Sequence, residues 1–86
     1  MADDPRPVNW YRSARKHRIG RAHAITVMTS TDALRVPGTD GLADRLVWVG
    51  PDDRGLTLEV VALDLPDQII VIHVMPYSFR RRQEGQ

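Results

Sequence analysis

The C-terminal half of the chain constrains the fold most, because it carries three aliphatic runs separated by turn sequences. Two of these runs, Leu56 to Leu63 and Gln68 to Met75, have the length and composition of β-strands. A third run begins at Leu46 and ends at a turn between Gly50 and Gly55, in which a proline fixes φ and the glycines accept positive φ. Strands joined by short turns pair in antiparallel fashion, so this half predicts an antiparallel β-meander.

The N-terminal half is predicted to be helical. Asn9 is a suitable N-cap for a first helix over residues 10–18, which Gly20 ends. A second helix over residues 21–29 and a short strand over residues 33–36 follow. We therefore expect an α+β fold, in which an N-terminal helix pair packs on a β-meander of 3–4 antiparallel strands and a basic C-terminal segment follows.

Composition narrows the class of protein further. The 86 residues suffice for one domain, which we place at residues 9–86, after a disordered N-terminus at residues 1–8. The chain has no cysteine and its three histidines lack metal-ligand spacing, so we expect no disulfide, metal or other cofactor. No apolar run approaches the ~20 residues of a membrane span, and the acidic N-terminus lacks a signal sequence. These features predict a cytoplasmic protein without a membrane partner.

Charge is distributed unevenly, although the formal net charge is only +1. From Pro5 to Thr31 the chain has six cationic side chains and no carboxylate, and three more arginines follow Phe79. Two basic clusters around a more acidic sheet are compatible with contact to a nucleic-acid backbone. Charge alone favours the alternative, which is a solvated helix face and a frayed tail. The predicted RNA-binding residues are Arg12, Arg15, Arg18, Arg45, Tyr77 and Arg82.

His73 is the most informative single residue, because it interrupts an otherwise aliphatic strand. It is either a core histidine with satisfied hydrogen bonds or a titratable group held on a rigid sheet. Alternation of side chains places Ile70, Ile72 and Val74 on one face and His73 on the other. If the aliphatic faces align, Glu59 shares the open face with His73. Trp48 is expected to pack in the core, and the alternative is a contribution to a partner surface.

A short segment of the basic half resembles a known family. Lys16-His17-Arg18-Ile19, followed by Ala24 and then Thr26-Val27-Met28, is similar to the helical opening of BrnT-type toxins. In that family a Lys-His-Gly-Val/Ile element precedes a helix with an alanine and a Thr-Val-Phe sequence. The resemblance extends over about residues 10 to 82 and implies the RelE-like fold. Arg18 stands where the family usually has glycine, and the tail departs from its Ser-Ala-Arg-Arg-Ala-Thr pattern.

The resemblance implies a function and its partners. Such toxins belong to type II toxin–antitoxin modules and are metal-independent endoribonucleases that cleave mRNA through its 2′-hydroxyl. An antitoxin, often of the ribbon-helix-helix type, binds and neutralises the toxin, so a heteromer is expected. The alternative is a non-catalytic module that binds RNA or protein with a degenerate RelE-like fold.

Metal-free RNA cleavage needs a base, an acid and cations around the phosphate. Histidine changes charge near neutral pH, and the arginine fork matches phosphate oxygens. The catalytic residues predicted on this basis are His73, Arg80, Arg81, Lys16 and His17.

Overall fold

A computed structural model describes residues 5–15 and 17–78 of the chain. The described residues form five β-strands, one α-helix and one short 3-10 helix. In chain order these are β1 (Val8–Trp10), the 3-10 helix (Arg12–Arg15), α1 (Arg21–Ser30), β2 (Leu34–Val36), β3 (Asp44–Pro51), β4 (Thr57–Asp64) and β5 (Ile69–Pro76).

The five strands form one mixed sheet in the order β1-β5-β4-β3-β2. β1 pairs with β5 in parallel, and the other neighbouring pairs are antiparallel. The predicted fold class, a helix pair on a meander of 3–4 strands, is therefore wrong. Val8, Asn9 and Trp10 extend because the backbone of β5 offers them hydrogen-bonding partners. Such a long-range pairing leaves no turn or periodicity signal in the local sequence.

The predicted first helix is reduced to one 3-10 turn at Arg12–Arg15, whereas the second is present as α1. Glycine supplies no side-chain cap at the start of α1, where Gly20 occupies the N-cap position. At the C-terminal end of α1, side-chain hydroxyls donate hydrogen bonds to backbone carbonyls. One of these runs from Thr31 Oγ1 to the carbonyl of Val27 at 2.6 Å. Among the described residues, no helix is long and apolar enough to cross a membrane.

A β-bulge in β5 decides which side chains face the helix. Val61 pairs with His73 and Ala62 pairs with Val71, so Ile72 is an extra residue opposite β4. The bulge resets the alternation. The simple alternation was right to separate His73 from Val74 but wrong to place Ile70 on the same face as Val74, because it assumed an unbroken ladder.

The core lies between α1 and one face of the sheet. Ala24, Val27 and Met28 of α1 are buried in a cluster with β3, β4 and β5. Trp48 is fully buried in this cluster, which confirms its predicted place in the core. Gly50 of β3 is also buried and lies beneath the end of α1. Within residues 5–15 and 17–78, α1 covers one face of the sheet only, and the opposite face is called the open face below.

A network of alternating charges ties the edge strand β2 to the N-terminal segment. The carboxylate of Asp64 accepts hydrogen bonds from Arg6 and from Arg35, and Arg35 also reaches Asp44 at 3.3 Å. The hydrogen bond from Arg6, followed by that from Arg35, holds the pKa of Asp64 below its usual range. The network therefore joins Arg6, before β1, to β2 across the ends of β3 and β4.

Candidate active site on the open face of the sheet

The open face is largely aliphatic, although outward positions of an exposed sheet are usually polar. Its central row runs across four strands through Leu34, Val47, Val61 and His73. A groove of about 490 Å³ lies over this face. The groove is lined by Leu34, Val36, Arg45, Val47, Val49, Glu59, Val61 and Tyr77. Polar chemistry within it is thus confined to a few side chains.

Glu59 and His73 lie on this face as the strand alternation predicted. Glu59 pairs with Met75 and His73 pairs with Val61, so the two side chains are diagonal neighbours. Glu59 Oε1 lies 3.8 Å from His73 Nε2, and the glutamate side chain is only 6% exposed. A carboxylate at this distance stabilises the imidazolium form of the histidine. Glu59 was absent from the predicted catalytic residues, although its place as the one acidic residue within the aliphatic run Leu56 to Leu63 was a usable signal.

His17 completes the group from a different part of the chain. Its ring meets that of His73 edge to face, with centroids 6.0 Å apart and an interplanar angle of 82°. Ser13 Oγ donates a hydrogen bond of 2.5 Å to the carbonyl of Ile72, the bulged residue. The bulge therefore presents an acceptor that anchors the 3-10 helix on β5 just ahead of His17. Sequence reasoning missed Ser13, because neither the bulge nor this contact has a local signature.

The other predicted site residues are distributed around this group. Arg45 on β3 and Tyr77 after β5 line the same groove. Arg12, Arg15 and Arg18 are exposed on the segment that carries His17. Four predicted residues lie outside the described part of the chain: Lys16, Arg80, Arg81 and Arg82.

Arg18 has an unusual backbone conformation. Its φ is 56°, in the left-handed region that disfavours residues with a Cβ and that glycine adopts readily. The backbone conformation at Arg18 is therefore one that costs free energy for an arginine.

A second polar cluster joins α1 to the β3–β4 turn. His23 Nδ1 lies 2.5 Å from Asp53 Oδ1 and 4.0 Å from Asp52 Oδ2. Asp52 accepts hydrogen bonds from the backbone N–H groups of Arg54 and Leu56 and from the Arg54 guanidinium. Its oxygens are thus occupied by the turn, and we assign the cluster to closing that turn and joining it to α1.

The pKa values of the two aspartates reflect these contacts. Burial alone would raise the pKa of Asp52, but hydrogen bonds from Arg54 and the turn backbone bring it below its usual value. The hydrogen bond to His23 lowers the pKa of Asp53, against a smaller effect of burial. Both carboxylates are therefore held in their charged form.

Comparisons of the chain with protein-family models, with curated proteins and with solved structures give no match. The features of the molecule that bear on function are therefore the geometry of the open face and the residues that converge there. Those residues are two histidines and a buried carboxylate, with an arginine and a tyrosine on the groove beside them.

Proposed function

We propose that the protein is a metal-independent endoribonuclease, the toxin component of a type II toxin–antitoxin module in the cytoplasm. One observation carries the proposal: His17, His73 and Glu59 converge on the open face of the sheet. Two imidazoles provide the base and the acid that cleavage by a 2′-hydroxyl requires. The resemblance to BrnT-type toxins supports the same reading, because it includes His17.

The first proton transfer is assigned to His73. Its imidazole takes the proton of the 2′-hydroxyl as the 2′-oxygen attacks the adjacent phosphorus. The nearby carboxylate of Glu59 favours the resulting imidazolium, so proton uptake at His73 is stabilised at that moment. An unprotonated His73 is therefore required at the start of the reaction.

The second transfer is assigned to His17. As the bond from phosphorus to the 5′-oxygen breaks, a protonated His17 gives its proton to that oxygen. The products are a 2′,3′-cyclic phosphate and a free 5′-hydroxyl, so no external water or metal ion is needed in this step. Arg45 lies on the same groove, where a guanidinium stabilises the additional negative charge of the transition state. Lys16, Arg80 and Arg81 remain proposed phosphate ligands.

A second candidate is a non-catalytic module that binds a protein or RNA. Its support is the aliphatic surface of the same face, where Leu34 is 67% and Val49 is 42% exposed. A contiguous apolar surface of this kind favours a protein partner. Under the toxin proposal that partner is the antitoxin, and RNA and antitoxin compete for one face. Under the alternative, partner binding is the whole function.

Expression in growing cells separates the two candidates. We expect the wild type to arrest growth and degrade mRNA, and His73→Gln and His17→Gln to abolish both effects. The matched control is His23→Gln, which removes the third histidine at the β3–β4 turn, away from the open face. Normal growth with intact RNA under the wild type would contradict the ribonuclease. Equal toxicity of all three variants would contradict the assignment of residues.

A further inference from the structure

Four arginines recur at every third position in the segment between β1 and α1. They are Arg12, Arg15, Arg18 and Arg21, referred to below as the arginine track. All four are exposed.

Ion pairing distinguishes these arginines from Arg6, Arg35 and Arg54. Arg6, Arg35 and Arg54 each form an ion pair with an aspartate. Within residues 5–15 and 17–78, no arginine of the track contacts a carboxylate. The stretch from Pro5 to Thr31 has no acidic residue that could supply one. The track is therefore a concentration of positive charge that the described fold leaves available to a ligand.

The local structure places the track around a concave surface. In a 3-10 helix, side chains three residues apart lie on one face, so Arg12 and Arg15 project together. Arg15, Arg18 and Arg21 line a shallow depression of about 380 Å³. The guanidinium of Arg21 also lies 5.5 Å from the centre of the Trp10 ring, a cation–π contact that orients it. The depression thus carries three guanidinium groups at its rim.

We propose that the arginine track binds the phosphates of single-stranded RNA and leads the strand to His17. The inference rests on the proposed function, since it takes the active site to be at His17 and His73. Guanidinium groups bind phosphate oxygens with two parallel hydrogen bonds. His17 lies within the track, between Arg15 and Arg18. A strand bound by Arg15 and Arg18 is thereby brought to the segment of the chain that carries His17.

The chemistry of cleavage favours a single strand over a duplex. The 2′-oxygen must approach the phosphorus in line with the departing 5′-oxygen, and the regular geometry of an A-form helix holds it out of line. A single strand is free to adopt the required geometry at His73. Arginine contacts to phosphates carry no sequence information, so the track accounts for binding and not for base preference.

Salt dependence of binding tests the track directly. The probe is a 12-nucleotide single-stranded RNA with a 2′-O-methyl group on every ribose, which binds but offers no nucleophile. For single strands, the logarithm of the binding constant falls with the logarithm of salt concentration by about 0.7 for each phosphate neutralised. Arg15→Gln should reduce that slope by about 0.7, and Arg15→Gln with Arg18→Gln by about 1.4. At 0.15 M salt this corresponds to about fourfold weaker binding for each arginine.

Arg35→Gln is the matched control. It removes the same charge from the edge strand β2, where Asp64 and Asp44 already neutralise the arginine. We expect an unchanged slope, and circular dichroism checks that every variant remains folded. The proposal would be overturned if the salt dependence of binding were unchanged in the Arg15 and Arg18 variants. It would also be overturned if the wild type did not bind the probe. Equal binding of the duplex form would overturn the preference for single strands.

The same preparations separate failure of the track from failure of the ribonuclease. Unmodified RNA of the same sequence is incubated with each protein. If the RNA binds with the predicted salt slopes but is not cleaved, phosphate binding by the arginine track is supported and the proposed ribonuclease activity is contradicted. If Arg15→Gln and Arg18→Gln leave the rate of cleavage unchanged at subsaturating RNA, the ribonuclease activity is supported and the role of the arginine track is contradicted. A poly-glutamate peptide that competes as well as RNA at equal charge would also contradict a phosphate-selective track.

Discussion

Gly50 lies where the end of α1 packs most closely on the sheet, and substituting it tests that packing. A Cβ at this position would overlap the Cγ2 methyl of Thr31 well inside van der Waals contact, while Cβ and Oγ1 of Thr31 would lie at 3.6 and 3.7 Å. The obstacle to Gly50→Ala is therefore a single methyl group. Overpacking of this kind costs about 1–3 kcal/mol, and alanine recovers about 0.5–1 kcal/mol of backbone entropy. We expect a net loss of about 1–2 kcal/mol.

Thr31→Ser should remove most of that cost. It deletes the obstructing methyl and retains the hydroxyl, which donates to the carbonyl of Val27 at 2.6 Å. The substitution alone should cost less than about 0.8 kcal/mol, the value of one buried methylene group, because Thr31 is half-buried. In the Thr31→Ser background, Gly50→Ala should then be neutral or stabilising. The coupling energy between the two sites is predicted to be about 1–3 kcal/mol.

Urea unfolding of the four proteins in this cycle, followed by circular dichroism, measures the coupling. Thr29→Ser is the control, since it removes the methyl of an exposed helical threonine whose hydroxyl bonds to the carbonyl of Ile25. It should not rescue Gly50→Ala. The same cost of Gly50→Ala in both the wild-type and Thr31→Ser backgrounds would refute the contact between α1 and β3.

Three further outcomes are expected. Arg18→Gly should raise the free energy of unfolding, measured in urea, by up to ~1 kcal/mol. The substitution relieves about 1–2 kcal/mol of backbone strain at φ 56°, which exceeds the entropy cost of glycine. A loss of stability would contradict this. Gly38→Ala should lower the thermal midpoint more than Gly50→Ala, because its Cβ would meet backbone carbonyl oxygens that no side-chain change can move; an equal or smaller shift would contradict this. Hydrogen bonds from Arg6 and then Arg35 lower the folded-state pKa of Asp64. The charged Asp64 carboxylate stabilises the folded state above its unfolded-state pKa of about 3.9, and this stabilisation is lost as pH falls through its folded-state pKa. Asp64→Asn should therefore destabilise the protein at pH 7 and progressively less below pH ~4. A pH-independent difference between the melting curves would exclude that linkage.

Local sequence signals were sufficient for much of the sheet. The turn between Gly50 and Gly55 and the aliphatic runs around it predicted β3, β4 and β5 to within a few residues. α1 was predicted because its apolar residues and the preceding Gly20 are local features. β1 was missed because three residues from Val8 become a strand only by pairing in parallel with Ile69 and its neighbours.

The candidate site was predicted only in part, because some of its features have a local sequence signal and others arise from long-range contacts. A single histidine in an aliphatic strand identified His73, and alternation put Glu59 on its face. The bulge at Ile72 was beyond sequence reasoning, because the four residues from Ile69 to Ile72 are all aliphatic and either register satisfies the pattern. Ser13, four residues before His17, donates a hydrogen bond to the carbonyl of that bulged residue. The resemblance drew attention to His17, but its contact with His73 is a property of the folded chain.

The central claim is that His17 and His73 cleave RNA without a metal ion, and one assay addresses it. Purified wild type and His73→Gln are incubated with single-stranded RNA in EDTA, and the ends of the products are identified. The proposed chemistry predicts fragments with 2′,3′-cyclic phosphate and 5′-hydroxyl ends from the wild type and intact RNA with His73→Gln. RNA left intact by the wild type, or cut equally by both proteins, would contradict the account.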